Sequence, residues 1–198
     1  MSVSKYAGDW IGVDYTLIPN GLRDAFFVDL KLERDIDVLI EGNDDGNKGI
    51  PDAFEIAQSY PGLKIGWLAR ETRHGAWTEF QNPTQDEIPS IYQRSKIVVK
   101  CSQSEGFGLP HLEAMASGCL LLTYNSGGND FCKDGFNCLM GDKEYLKTKL
   151  KEILEGKNAS EITKNGRDTA DKFKWRKSID KLESYLCQKA KNVVLSNK

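Results

Sequence analysis

Ile97 to Thr123 reads IVVKCSQSEGFGLPHLEAMASGCLLLT. It opens on a short apolar run of strand length, and the apolar residues at 120–123 make a second. Between them, Leu109-Pro110 opens a helical pattern that runs to Ala116 and stops at Gly118, a residue suited to the left-handed conformation that ends helices. Strand, loop, helix and strand in this order form one βαβ unit with parallel strands.

The same alternation extends over residues 37–140. Further strands are expected at 37–40 and 63–68, with weaker ones at 77–80 and 137–140 that suit sheet edges. Helices fit 50–59, where Pro51 falls in the first turn and its missing N–H costs little, and 87–94. Beyond Gly141, Tyr145, Leu146, Leu150, Ile153 and Leu154 recur at helical spacing, as do apolar residues from Ile162 to Leu186. The expected fold class is α/β, a doubly wound parallel sheet followed by C-terminal helices. Residues 1–20 stand apart: Tyr6, Trp10, Ile11, Val13, Tyr15, Leu17 and Ile18 are apolar, yet they lead into the turn Pro19-Asn20-Gly21 without completing a βαβ unit. They read as the end of something larger, leaving 21–198 as the domain proper.

A chain of 198 residues supports one well-buried domain with a helical appendage but is short for two of ordinary size. Its 27 Lys and Arg nearly balance 29 Asp and Glu, so no overall field draws it to nucleic acid. No apolar run approaches the roughly 18 residues of a spanning helix, and the N-terminus lacks the basic and apolar regions of a signal peptide; the expected location is the cytoplasm. Five cysteines, odd in number and with no C-x-x-C pair, argue against a disulfide framework or a zinc site and are expected mostly as small buried thiols. His74 and His111 have no second ligand at metal-binding spacing, so no metal is expected at either.

Chemistry concentrates in Ser104 to Gly118. This stretch follows a buried strand and opens a helix, and in open parallel sheets ligands bind beyond the carboxyl ends of the strands. A helix mouth there offers free N–H groups and a positive dipole end to an anion, while Gly106 and Gly108 let backbone approach it closely. Glu105 and Glu113 bracket the turn. Carboxylates accept hydrogen bonds from hydroxyls, so the pattern suits a polyhydroxylated ligand carrying phosphate. Spacing alone leaves open that Glu105 merely favours the first turn and that Glu113 is a solvated helix residue.

The run from Glu105 to Gly118 resembles the E-x7-E signature of retaining GT-B glycosyltransferases, the glycosyl transferases group 1, in their C-terminal donor-binding domain. The likeness extends in order along nearly the whole chain. Ile18-Pro19-Asn20-Gly21 resembles the turn into that domain, and Gly42 through Lys48-Gly49 its first strand, loop and helix. Ser126-Gly127 through Asp130, Asp134 to Asn137, and Phe173-Lys174-Trp175 match later blocks. The resemblance implies a Rossmann-like, metal-independent transferase that moves a hexosyl group with retention in polysaccharide or glycolipid synthesis. Its donor is a nucleotide-diphosphate sugar, a substrate, with no cofactor.

Carried onto matching positions, the resemblance makes Lys48 and Glu105 catalytic, Lys48 against the leaving diphosphate and Glu105 against sugar hydroxyls. Glu113 would hold the ribose, and the amides around Gly106, Phe107, Gly108 and Leu109 the sugar and phosphates. The acceptor, a glycan or glycolipid, would bind a separate N-terminal domain for which this chain has no room; the full enzyme would then be open to peripheral association with a membrane. Asn43 stands in the donor site where the family usually places an arginine, with Asp44 and Asp45 beside it. Arg70 or Arg73 is a candidate replacement cation.

This departure motivates an alternative, a catalytically inactive nucleotide-sugar-binding module. A flavodoxin-like or response-regulator domain shares the alternation but leaves the block from Glu105 to Glu113 unexplained. Other motifs fail on spacing: Gly42-x-x-x-Gly46-x-Lys48 is one residue short of a P-loop and lacks its Ser or Thr, and the calcium-like Asp44, Asp45 and Asn47 have no closing glutamate. Asp35-Ile36-Asp37 is a D-x-D by coincidence.

Overall fold

The apolar runs form six parallel strands: β1 (Ile36–Glu41), β2 (Ile65–Ala69), β3 (Thr78–Gln81), β4 (Ser95–Lys100), β5 (Leu120–Thr123) and β6 (Leu139–Met140). The computed structural model describes residues 1–12, 14–71 and 76–196. The strand order is β3-β2-β1-β4-β5-β6, and every neighbouring pair is parallel. β3 and β6, the two weaker runs, are the edges. The chain steps outward from β1 through β2 to β3, then returns to place β4 on the other side of β1. That reversal opens a crevice beyond the carboxyl ends of β1 and β4.

Successive strand residues point to opposite faces, so a strand covered on both sides must be apolar throughout. Val38, Ile40, Val99 and Leu122 pack on one face against Ile56 and Ala53 of α2 (Ile50–Gln58) and Leu146 and Leu150 of α5 (Lys143–Leu154). On the other face, Ile36, Leu39, Val98 and Leu121 meet Tyr92 of α3 (Ile88–Gln93), Leu112 and Met115 of α4 (Leu109–Ala116), and Ala170 of α6 (Ser160–Asp171). This is the doubly wound sheet expected. Pro51 does lie in the first turn of α2, and α4 ends at Gly118 with φ of 73°.

Two local features go beyond the periodic pattern. The helical run from Ile162 to Leu186 is broken into α6 and α7 (Trp175–Ser196), α7 starting at Phe173-Lys174-Trp175, the block that resembles a late helix entry. The break has a tertiary cause: Leu22 N–H donates to the Phe173 carbonyl at 2.6 Å, and Trp175 N–H donates to the Leu22 carbonyl at 3.1 Å, so these backbone groups bond sideways. Residues 1–20 also contain a helix, α1 (Lys5–Ile11), begun by Ser4, whose hydroxyl accepts from Ala7 N–H, and ended by Gly12 at φ of 71°. The segment docks on the rest of the chain: Ser4 Oγ donates to the Gly106 carbonyl at 2.5 Å, and the Tyr6 ring lies where a side chain on Gly127 would be.

Cys101, Cys119, Cys132 and Cys138 are buried thiols and Cys187 is exposed. No helix among the described residues is long and apolar enough to cross a membrane.

Candidate functional site

Three loops converge past the carboxyl ends of the strands. The loop after β1 carries Lys48 and ends at Gly49, which caps α2 at φ of 60°; a Cβ on Gly49 would stand 2.2 Å from the Cys101 carbonyl oxygen. Asn47 stitches this loop to the one after β4, its side-chain amide donating to the Ser104 carbonyl at 3.0 Å and its own carbonyl accepting from Gln103 N–H at 2.8 Å. The loop after β5 closes in from the other side: Glu105 N–H donates to the Ser126 carbonyl at 2.9 Å, and a Cβ on Gly128 would meet the Glu105 carbonyl oxygen at 2.1 Å. Glycine at 49 and 128 is what lets the backbones come this close.

The contacts bring Lys48 and Glu105 together. Lys48 Nζ donates to Glu105 Oε1 at 2.9 Å, with side chains 27% and 10% exposed. Burial pushes the Glu105 carboxyl up, but the Lys48 ammonium, the Ser102 hydroxyl and the Lys100 charge together outweigh it and hold the group below the usual carboxylate range.

Lys48 lines a hollow of about 440 Å³ together with Glu41, Asn43, Arg70, Tyr92 and Glu113. A larger hollow, about 600 Å³, lies between residues 16–18 and α7, away from these loops.

Glu113 is not a solvated helix residue. Burial first, and the Glu41 carboxylate second, push its carboxyl up to about 7, against the pull of Tyr92, Lys100 and Arg23. Burial first, then the Glu41 and Glu113 charges, push the Tyr92 hydroxyl well above its ordinary value.

Asn43 has an architectural task, its side-chain oxygen accepting from Arg70 N–H at 2.9 Å. Arg70 is among the residues lining the hollow, whereas Arg73 and His74 lie outside the described residues. Asp45 shapes the loop by accepting from the N–H groups of Asn47 and Lys48 at 3.2 and 3.3 Å. Asp35 and Asp37 pair with Arg94 and Lys96 at the opposite end of the sheet.

Around the helix mouth the expected residues separate. Gly108 caps α4 at φ of 67°, and Leu109 is its first residue. Gly106 is exposed, with open space where a Cβ would stand. The Phe107 ring is in the core, 6.0 Å from Phe131 and 5.8 Å from Phe173 between ring centres, so only its backbone is available to a ligand. His111 is buried, with Nε2 2.9 Å from the Thr123 hydroxyl; burial holds its pKa at about 3, leaving the ring neutral at neutral pH.

Sequence reasoning missed Glu41, Tyr92 and Lys100. Lys100 is the last residue of β4, its side chain wholly buried, and its ammonium donates to the Glu41 carboxylate and, at 2.8 Å, to the Glu41 carbonyl. The available signal was a charge directly after three apolar residues at the carboxyl end of a strand, which occurs in both β1 and β4.

Residues 68–169 match the model of the family described as glycosyl transferases group 1. This chain belongs to the glycosyl transferases group 1. Among curated proteins, an uncharacterised glycosyltransferase of Methanocaldococcus jannaschii is 32% identical over 99 residues, which is 48% of this chain and 28% of that protein. Among solved structures, the sucrose-phosphate synthase of Thermosynechococcus elongatus superposes with a TM-score of 0.80 at 19% identity, over 96% of this chain and 58% of that one. HepE of Anabaena, solved in complex with UDP-glucose, superposes with a TM-score of 0.73 at 17% identity, over 87% of this chain and 57% of that one. The six-stranded sheet of this group 1 chain is thus the GT-B, Rossmann-like fold, and the chain spans less than two thirds of the length of each of these proteins.

Proposed function

We propose that this chain is the donor-binding half of a retaining glycosyltransferase that takes a nucleotide-diphosphate sugar and passes its hexosyl group to a glycan or glycolipid. The observation that carries the reading is one hollow at the reversal point of the sheet, lined by Glu113 and by Lys48, whose ammonium is paired with Glu105. A relative of the same fold holding UDP-glucose supports it.

In this reading Glu113 accepts hydrogen bonds from the ribose and Glu105 from the sugar. Lys48, between them, faces the diphosphate with the amides from Gly106 to Leu109. Transfer breaks the bond from the anomeric carbon to the diphosphate oxygen, whose electron pair stays on the diphosphate. The acceptor oxygen bonds the anomeric carbon on the same face, and its proton leaves with the diphosphate. Negative charge builds on the leaving group, and an ammonium held in place by a buried carboxylate meets it without reorganising; loss of one such group costs about 3 kcal/mol in comparable sites. These groups supply that charge without a metal ion. The acceptor would occupy an N-terminal domain, as befits a chain spanning 58% of its sucrose-phosphate synthase relative, and residues 1–20 would form the junction. A cytoplasmic enzyme, peripheral to the membrane when its acceptor is a lipid, fits this reading.

Calorimetric titration with UDP-, GDP- and dTDP-sugars is the direct test, and no binding by any of them would refute the proposal. Glu113→Ala is expected to weaken binding of the bare nucleoside diphosphate at least tenfold. Glu105→Ala releases Lys48, so affinity for the bare diphosphate should hold while the added affinity of the sugar nucleotide is lost. Equal, negligible losses in both variants would count against these roles.

The second reading, a binding module without turnover, is favoured by Asn43, which ties backbone to backbone where relatives are expected to carry a cation. Binding without transfer, measured after an N-terminal half is supplied, would select it.

A further inference from the structure

Lys100 is a wholly buried cation in the seam between the two central strands, one step beyond the paired residues Ile40 and Val99. Burying an ammonium and a carboxylate together seldom adds stability over two apolar side chains of similar size, and the preceding residues of both strands are apolar. Stability alone does not call for the Glu41–Lys100 pair.

Lys100 does not line the hollow, whereas Glu41, 22% exposed, does. Whatever Lys100 contributes to a ligand therefore passes through Glu41, which it grips at both carboxylate and carbonyl. Glu41 shares the hollow with Glu113 and Tyr92. Two carboxylates lining one hollow repel phosphate and accept from hydroxyls, so this part of the hollow suits a ligand with adjacent hydroxyl groups. The Glu41 charge adds to the upward push on the Glu113 carboxyl, and the Lys100 charge pulls against it.

We propose that Lys100 is a positioning residue that fixes Glu41 at the wall of the hollow, where Glu41 and Glu113 together grip the vicinal 2′- and 3′-hydroxyls of a ribose. This rests on the reading of the hollow as the nucleoside pocket. A 2′-deoxyribose leaves one desolvated carboxylate without a donor, and an unmet buried acceptor is the stronger source of discrimination.

The test is calorimetric titration of the full chain with UDP and 2′-deoxy-UDP, and with GDP and 2′-deoxy-GDP to cover a purine. The wild type is expected to prefer the ribonucleotide at least tenfold. In Glu41→Gln/Lys100→Met, which removes both charges at nearly constant size, the preference should fall below about threefold. Lys100→Met alone strands a buried carboxylate and should unfold at lower temperature. Should the double variant fail to fold by circular dichroism, Glu41→Gln, which keeps the Lys100 bond to the backbone, reports the same ratio. A double variant that folds and keeps the wild-type ratio leaves the pair merely structural and overturns the proposal. Equal binding of ribo and deoxy forms by the wild type overturns the proposal while sparing the nucleotide reading. Binding of none of the four removes both.

Discussion

Gly49→Ala is expected to lower the melting temperature of the chain by about 8 to 16 °C, from a stability loss of about 4 kcal/mol. Two costs combine. A non-glycine residue at φ of 60° costs roughly 1–2 kcal/mol, and the new Cβ would stand 2.2 Å from the Cys101 carbonyl oxygen, a backbone atom at the end of β4 that cannot swing aside. Relief must come by separating the loop after β1 from the loop after β4, the two that carry Lys48 and Glu105. Gly46→Ala is the control: its φ is 82° but nothing lies within 4 Å of a Cβ there, so only the conformational cost, about 1 kcal/mol, applies. Thermal denaturation followed by circular dichroism distinguishes them, and equal shifts in the two variants would mean the two loops are not in contact.

Glu113→Gln should make the free protein more stable above pH 7 while weakening its hold on nucleotide. The folded-state carboxyl titrates at about 7, above its ordinary value of 4.5. An acid raised by folding gives up its proton later in the folded chain than in the unfolded one, so stability falls as pH rises from 4.5 to 7, by about 3 kcal/mol in all. His111 acts in the opposite sense. Its folded pKa of about 3 lies below the ordinary 6.5, so its contribution is lost as pH falls from 6.5 towards 3. Between 4.5 and 6.5 the two slopes oppose each other.

Removing the Glu113 charge therefore exposes the His111 slope: the melting temperature of Glu113→Gln should climb through this window and exceed the wild type at pH 8 by about 6–12 °C. Melting curves from pH 4.5 to 8.5 settle the matter, and a variant no more stable than wild type at pH 8 would show that Glu113 is not a strained buried acid. A site carboxylate kept at a cost in stability is what a ligand-gripping group is expected to be.

The sheet was legible because β1, β2, β4 and β5 are covered on both faces and so appear as unbroken apolar runs between turn residues. β3 and β6, less apolar at the edges, could be placed but not bounded well. α1 escaped notice for the opposite reason. Its seven residues gain little from periodicity and are held by the Ser4 cap and by the Tyr15 ring lying where a side chain on Gly8 would be, both contacts made from outside the helix. Phe107 was expected at the ligand through its backbone amide, and its ring turns inward to Phe131 and Phe173, a direction only packing could set.

Local order along the chain was enough to establish an α/β parallel sheet, the helix mouth at Gly108 and its bracketing by Glu105 and Glu113, since each follows from the period of burial and the place of glycine; Lys48 was added only by the family resemblance. Folding alone assigned partners: that Lys48 is tied to Glu105, that Asn43 holds the Arg70 backbone, and that Lys100 lies buried against Glu41. The reason is strand order. Nothing in the linear pattern says that β1 lies beside β4, and until those strands meet, two charges far apart in the chain have no cause to be read as one device.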